Sequence, residues 1–420
     1  MPRIRCLPES SIAIGPRRLS PAVRRLIMSS TFISRGRRKR FSWTYDHRRP
    51  IAVVACLSAP RRARSWRRGM TYSAFDHPYL SGLLGDEAVA AEFSAAADIR
   101  AMLAFEAALA RAEAQHGVIP HAAADRIAEA CRAFSPDVAA LRRGMATDGV
   151  AVPELVRQLR RAVGEAAAEH VHFGATSQDV VDTSLVLRLK AIGELFSGRL
   201  GEIVAVLEEG AQQWGERPLM GRTRMQAAIP ITVADRMRSW IEPLLDHQDR
   251  LDAMDIDLFA VQFGGAAGTL DKLKDKADAV RATLAEELAL IDCPQWHSQR
   301  AAIADFAHLL SLITGSLGKF GQDIALMAQA GDEIVLAGGG SSSAMAHKQN
   351  PVAAEVLVTL ARFNATQISG IHQAVVHEQE RSGSAWTLEW LLLPQIVGAT
   401  AAALRLATEL AGNIRRLGAA

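Results

Sequence analysis

The sequence predicts an all-α protein built as a bundle of long helices, and three observations carry the prediction. Aromatic residues make up only 5% of the 420 residues while 49% are hydrophobic, with Ala and Leu abundant, a composition that favours packed helices. Apolar residues recur at helical spacing over long stretches separated by short Gly, Pro or Ser breaks. No segment has the strict alternation, bounded by turn residues, of a half-buried strand.

The elements follow in order. Residues 86–116 place Ala, Leu and Phe on one stripe, and Gly117 and Pro120 end it. Helices are expected at about 121–133 and 151–168, then a polar turn at 170–179. From Asp179 to Trp214 the pattern is helical without a break, about 54 Å at 1.5 Å per residue. Residues 215–230 interrupt it, 231–256 resume it, and "FGGAAG" at 263–268 breaks it again. Helices are expected at about 270–290, 300–329, 352–376 and 386–413. Rods of this length bury their apolar stripes best against several others, which predicts a homo-oligomer of C2 or D2 symmetry.

Charge divides the chain. Residues 1–69 hold 17 Arg and one Lys against Glu9 and Asp46, a net of +16; the other 30 basic and 43 acidic side chains give residues 70–420 a net of −13. The first segment has no sustained apolar periodicity. It reads as disordered or as lying upstream of a start at Met70, with a targeting peptide or a basic arm for nucleic acid or acidic lipid as the other readings. It is set aside from the fold. The remainder divides into a helical domain at 70–173 and a long-helix bundle at 174–420, with a distinctive loop at 338–351. Cys6, Cys56, Cys131 and Cys293 form no CxxC, so neither a disulfide framework nor a zinc site is expected and a reducing cytoplasm fits. No apolar run reaches the roughly 18 residues of a membrane span.

The residues with chemical potential cluster in four breaks. In "HFGATSQDVVDTS", Thr176, Ser177, Gln178 and Asp179 open a helix with Ser177 as a cap candidate. Capping does not call for His172, Thr176 and Gln178 as well, and hydroxyls at a helix N-terminus also suit a carboxylate. In "GRTRMQAAIP", Arg222 and Arg224 beside a helix start suit an anion, or a plain solvated loop. "GGGSSSAMAHKQNP", at 338–351, is not a phosphate-binding P-loop, because His347 precedes Lys348 and Gln349 follows it. A plain linker would not run into Met-x-His-Lys-x-Asn-Pro. In "HEQERSGS", Arg381 stands where a zinc protease has its second His, so no metal is expected there; Arg381 could clamp a carboxylate, or the stretch could be a helix end and turn.

Taken together and in this order, the four breaks resemble the fumarase/aspartase superfamily. Its signature is close to G-S-S-x-M-P-x-K-x-N-P. Here Ser342, Ser343, Met345, Lys348, Asn350 and Pro351 match, while Ser341 replaces Gly and Ala346 replaces Pro. "TSQD" at 176–179 and T-x-x-Q-x-A-x-P from Thr223 to Pro230 match two further regions, and the resemblance spans about 75–412. It implies a fumarase/aspartase-like bundle completed by tetramerisation, a shortened or absent C-terminal domain, no cofactor, no nucleic acid or membrane partner, and sites shared between subunits. It implies proton transfer next to a carboxylate through a doubly negative aci-carboxylate. Ser342 would be the acid or base, on a mobile loop, with His172 a second acid/base candidate. Thr176, Ser177, Gln178, Arg224, Gln226, Ser343, Met345, Lys348, Asn350 and Arg381 would bind substrate.

Departures narrow the branch. Amine-releasing lyases of the superfamily usually carry T-H-x-Q where this chain has Arg224, and a His-Asp pair where it has Thr147, Asp148 and Gly149. The pattern is similar to the cycloisomerase branch, in which a carboxylate of 3-carboxy-cis,cis-muconate adds across a C=C of the same molecule. The alternatives are an adenylosuccinate- or argininosuccinate-type lyase, and an inactive helical binding protein on the same scaffold.

Overall fold

The computed structural model describes residues 72–254, 259–341, 345 and 349–419. The expectations for 1–69 lie outside these residues. Thirteen helices are present among them: α1 Ser81–Leu84, α2 Glu87–Glu92, α3 Ala95–Gln115, α4 His121–Ala133, α5 Val138–Asp148, α6 Val152–Val163, α7 Glu165–Ala168, α8 Ser177–Trp214, α9 Val233–Ala253, α10 Ala277–Glu287, α11 Ala301–Ala330, α12 Val352–Ala374 and α13 Gly383–Gly412. The all-α expectation holds.

Local chemistry explains most boundaries. The expected 86–116 helix is two, because Ser94 takes an extended backbone and its hydroxyl accepts from the Ala97 N–H, starting α3 afresh. Gly164, at φ +83, divides α6 from α7 inside the expected 151–168 helix. Asp137 caps α5, a helix the sequence reading left out, by accepting from the Ala139 and Ala140 N–H groups. Thr232 and Asp235 form a capping box at the start of α9.

The long helices α8, α9, α11, α12 and α13 pack into the bundle; α3 and α6 lie against α8, and α4 and α10 pack on α3. Helix α8 has 38 residues and therefore runs about 57 Å. Its axial face, from Val186 through Leu189, Ile192, Phe196, Leu200 and Ile203, is fully buried. Buried Asn364 of α12 donates to Thr314 Oγ1 of α11 and Thr400 Oγ1 of α13, and this polar layer fixes the register of three otherwise apolar rods. By length and composition α11 and α13 could each span a membrane, which the sequence reading did not anticipate; more than half of the most apolar stretch of each is buried inside the protein, so they are core helices.

The break at 215–230 is not an irregular loop. β1 Pro218–Thr223 and β2 Gln226–Thr232 form an antiparallel hairpin, turning at Arg224 and Met225. Both turn residues have positive φ, +48 and +66, the geometry that usually calls for Asn-Gly. Residues 222–230 are exposed throughout, including Met225 and Ile229. Only Leu219 and Gly221 of β1 are buried and the first five residues of β2 are all exposed, so the hairpin has little alternation to read in the sequence. β3 Ile334–Leu336 pairs with β6 Ile414–Leu417. β4 Gly340–Ser341 pairs with β5 Gln349–Asn350, holding Ser341 opposite Gln349.

One core feature is costly. Glu113 of α3 is fully buried and neither carboxyl oxygen has a hydrogen-bond partner. Burial, and then the charge of Glu106, push its pKa up to about 9. The folded protein therefore binds a proton that the unfolded chain has lost, and stability falls between about pH 4.5 and 9 by about 1.4 kcal/mol per unit. Glu113→Met removes the orphaned group at similar volume, and is expected to raise the melting temperature at pH 8 while changing it little at pH 4.5. Melting curves at the two pH values check this; a Tm gain equal at both would discard it.

Candidate active site

The N-terminus of α8 collects one group of candidates. Thr176, not Ser177, takes the N-cap, and its N–H donates to Asp179 Oδ2 at 2.9 Å. Asp179 is fully buried and also accepts from the Gly264 and Gly265 N–H groups at 2.9 and 3.0 Å and bonds His297 Nε2 at 2.7 Å. The "FGGAAG" break is thereby clamped to the helix start. Gly265 is required there: its φ is +68, and a Cβ would lie 2.7 Å from the Gly174 carbonyl oxygen. Thr176 and Ser177 remain half-exposed, with the first-turn N–H groups of α8 beside them.

Gln178 differs from its expected role. It is fully buried; its Nε2 donates to Asp182 Oδ2 and the His297 carbonyl, and its Oε1 accepts from Arg381 Nε at 2.8 Å. Both of its N–H donors are used, so none is left for a substrate carboxylate. Gln178 instead holds Arg381, whose Nη2 reaches toward the Gly265 and Ala266 carbonyls.

Behind it lies a buried charge cluster absent from the sequence reading. Arg300, 1% exposed, pairs with Asp182 at 2.7 Å and, through Nε, with Glu389 at 2.8 Å. Trp386 Nε1 donates to Asp182 Oδ1, and the guanidinium lies 4.7 Å from the centre of the Trp296 ring. Burial opposes the Arg300 charge, but Asp182 and then Glu389 outweigh it and its pKa rises. Burial pushes the Glu389 carboxyl up, against the pull of Arg300. The signal in the sequence was Glu389 itself, the only charge from 383 to 404 of an apolar helix.

His172 completes this end. It is half-buried at φ +62, and its Nδ1 lies 2.7 Å from Glu106 Oε1 of α3. Burial would lower its pKa; Glu106, by charge and hydrogen bond, and then Asp179 override this against Arg160, so the imidazole is held above its ordinary value.

The other candidates sit at the opposite end of the bundle. Arg224 and Gln226 are exposed on the hairpin that follows α8, so the helix separates them from Thr176 by about 55 Å. Arg222 pairs with Glu333, just past α11, at 3.3 Å. A cavity of about 570 Å³ there is lined by Arg222, Arg224, Arg236, Asp323 and Glu333. Asn350 lies in β5, half-buried, and Met345 is exposed. Ser342, Ser343 and Lys348 lie outside the described residues. Gly338 and Gly339, before them, have φ +76 and +125. One chain thus brings together His172, Thr176, Ser177 and Arg381, and keeps Arg224, Gln226 and Asn350 apart from them.

A family model described as lyase matches residues 85–370. The chain belongs to this lyase family. A 3-carboxy-cis,cis-muconate cycloisomerase of Pseudomonas aeruginosa is 43% identical over 328 residues, covering 76% of this chain and 72% of its own. One from Pseudomonas putida is 40% identical, covering 77% and 78%. Among solved structures, the 3-carboxy-cis,cis-muconate lactonizing enzyme from Pseudomonas putida superposes with a TM-score of 0.76 at 38% identity, covering 80% of this chain and 77% of that one. The fumarase/aspartase-like fold expected from the four breaks, and the cycloisomerase branch of the lyase family, are borne out by these relatives.

Proposed function

We propose that the protein is a 3-carboxy-cis,cis-muconate cycloisomerase of protocatechuate catabolism. It closes its substrate to 4-carboxymuconolactone in the cytoplasm and needs no cofactor. The observation that carries the reading is the agreement of relatives 37–43% identical over most of both chains, all bearing that name. Arg224, standing where amine-releasing lyases usually have His, agrees with it.

In this reaction a carboxylate oxygen of the substrate adds to the far carbon of a conjugated C=C. The C–O bond forms, the π electrons move onto the neighbouring carboxylate as an aci-carboxylate, and the α-carbon then takes a proton; no atom is lost. Ser342 or His172 supplies the proton. The Thr176 and Ser177 hydroxyls and the α8 N-terminus face the developing charge, and Arg381, held by Gln178, takes a carboxylate. Ser343, Met345, Lys348, Asn350, Gln226 and Arg224 surround the rest of the tricarboxylate. A small substrate cannot span the length of α8, so the site is shared between subunits of a tetramer. The exposed hairpin, apolar at Met225 and Ile229, agrees with burial against another copy.

Purified protein is expected to bleach the ultraviolet absorbance of 3-carboxy-cis,cis-muconate and to leave adenylosuccinate unchanged. Unaltered muconate absorbance at high enzyme concentration would sink the reading.

A further inference from the structure

Glu106 belongs to none of the four breaks. It lies on α3, 1% exposed, with Oε1 at 2.7 Å from His172 Nδ1 and Oε2 buried without a partner. Two turns further along the same face of α3 lies Glu113, whose carboxyl burial pushes up to about 9, so the acid in contact with His172 on this helix is Glu106. His172 itself keeps a left-handed backbone, φ +62, a conformation that costs a non-glycine residue roughly 1 kcal/mol or more and gathers at functional sites. Its Nε2 makes no hydrogen bond among the described residues.

We propose that Glu106 is the positioning residue for His172: it accepts the Nδ1 proton, which fixes the ring's tautomer and orientation, presents Nε2 to the substrate, and supports the charged ring while an anion is bound. The proposal rests on the cycloisomerase reading for the identity of that anion, and on geometry alone for the pair. A buried carboxyl in an apolar helix stripe needs a hydrogen-bond partner, and the one that Glu106 has is the His172 ring. The groups that face His172 are Glu106 from α3, Asp179 from α8, itself bound to His297, and Arg160 from α6. Of the two acids only Glu106 bonds the ring, so removing its charge leaves Asp179 opposed by Arg160.

The test is Glu106→Gln, an isosteric change that keeps an acceptor and removes the charge. Its first readout is the titration of His172 in substrate-free protein, by NMR of carbon-13-labelled histidine with His172→Asn as the assignment control. The midpoint is expected to fall by about one pH unit or more. The second is the pH profile of kcat/KM on muconate, whose His172 limb is expected to move with the midpoint. kcat should fall about 10²-fold while KM changes less than about threefold. Glu106→Asp, which restores the charge, is expected to recover part of both, and it serves the same assays where the Gln variant fails to fold. An unmoved His172 midpoint overturns the proposal, as does a moved midpoint with an unmoved rate profile, which would make the pair structural. Absence of turnover in the unmodified protein would remove the cycloisomerase reading instead, while the titration still decides the pair.

Discussion

Ser342→Ala is expected to lower kcat for muconate closure by about 10²–10⁴-fold, the usual contribution of a positioned proton donor, with KM nearly unchanged. The expectation follows from the division of labour in the proposed site. The carboxylates of the substrate are held by hydroxyls, amides and cations that survive the substitution, so ground-state binding persists. What disappears is the group that delivers a proton to the α-carbon of the aci-carboxylate. Steady-state kinetics on the purified protein, beside His172→Asn, separates the two proton-transfer candidates: the donor is the one whose loss falls on kcat and removes a limb of the pH profile. A Ser342→Ala enzyme at full rate would take Ser342 out of the chemistry.

Arg300→Met is expected to produce the largest stability loss of any single change near the site, about 3–5 kcal/mol at neutral pH. Met fills the space of the guanidinium stem but strands Asp182 and Glu389, 0% and 2% exposed, beside each other without a cation. One of them must then take up a proton to remain buried. A carboxyl whose folded pKa is raised costs stability as pH rises, so the variant should be least destabilised near pH 5 and most above pH 7. Urea unfolding at pH 5 and pH 8 measures the difference. Adding Asp182→Asn and Glu389→Gln should recover part of the loss, and a variant equally destabilised at both pH values would show that packing against Trp296, not charge, is what Arg300 supplies.

The helices were legible because long amphipathic periods and caps are local properties. Residues 121–133 read as a helix and are α4, and the start of α12 is visible in Asn350-Pro351. Two things were hidden. The β1–β2 hairpin buries only Leu219 and Gly221 and leaves most of β2 exposed, so its sequence carries almost no period of two, and its turn uses Arg-Met where Gly would have announced it. The buried acids Glu106, Glu113, Asp182 and Glu389 sit inside helical stripes, and nothing local distinguishes a carboxylate that meets an arginine 118 residues away from one that meets water. Each is a charge surrounded by Ala, Leu or Val, and that mismatch was the available signal. Within the site, residue type suggested binding for Gln178, whereas its neighbours turn it into a brace for Arg381. His172 and Arg381 were found because they stand in breaks, where side chains have no stripe to join.

The uninterrupted course of α8 makes it a ruler. One end carries Thr176 and the other leads into Arg224, and no loop intervenes to absorb an error in length. Substitutions along its surface leave both ends where they are. A single inserted residue would swing everything beyond it by about 100° and advance it by about 1.5 Å, turning the hairpin to face a different direction. Spacing along this rod, more than the identity of the residues on it, is what sets the distance and the rotation between the two ends of the chain.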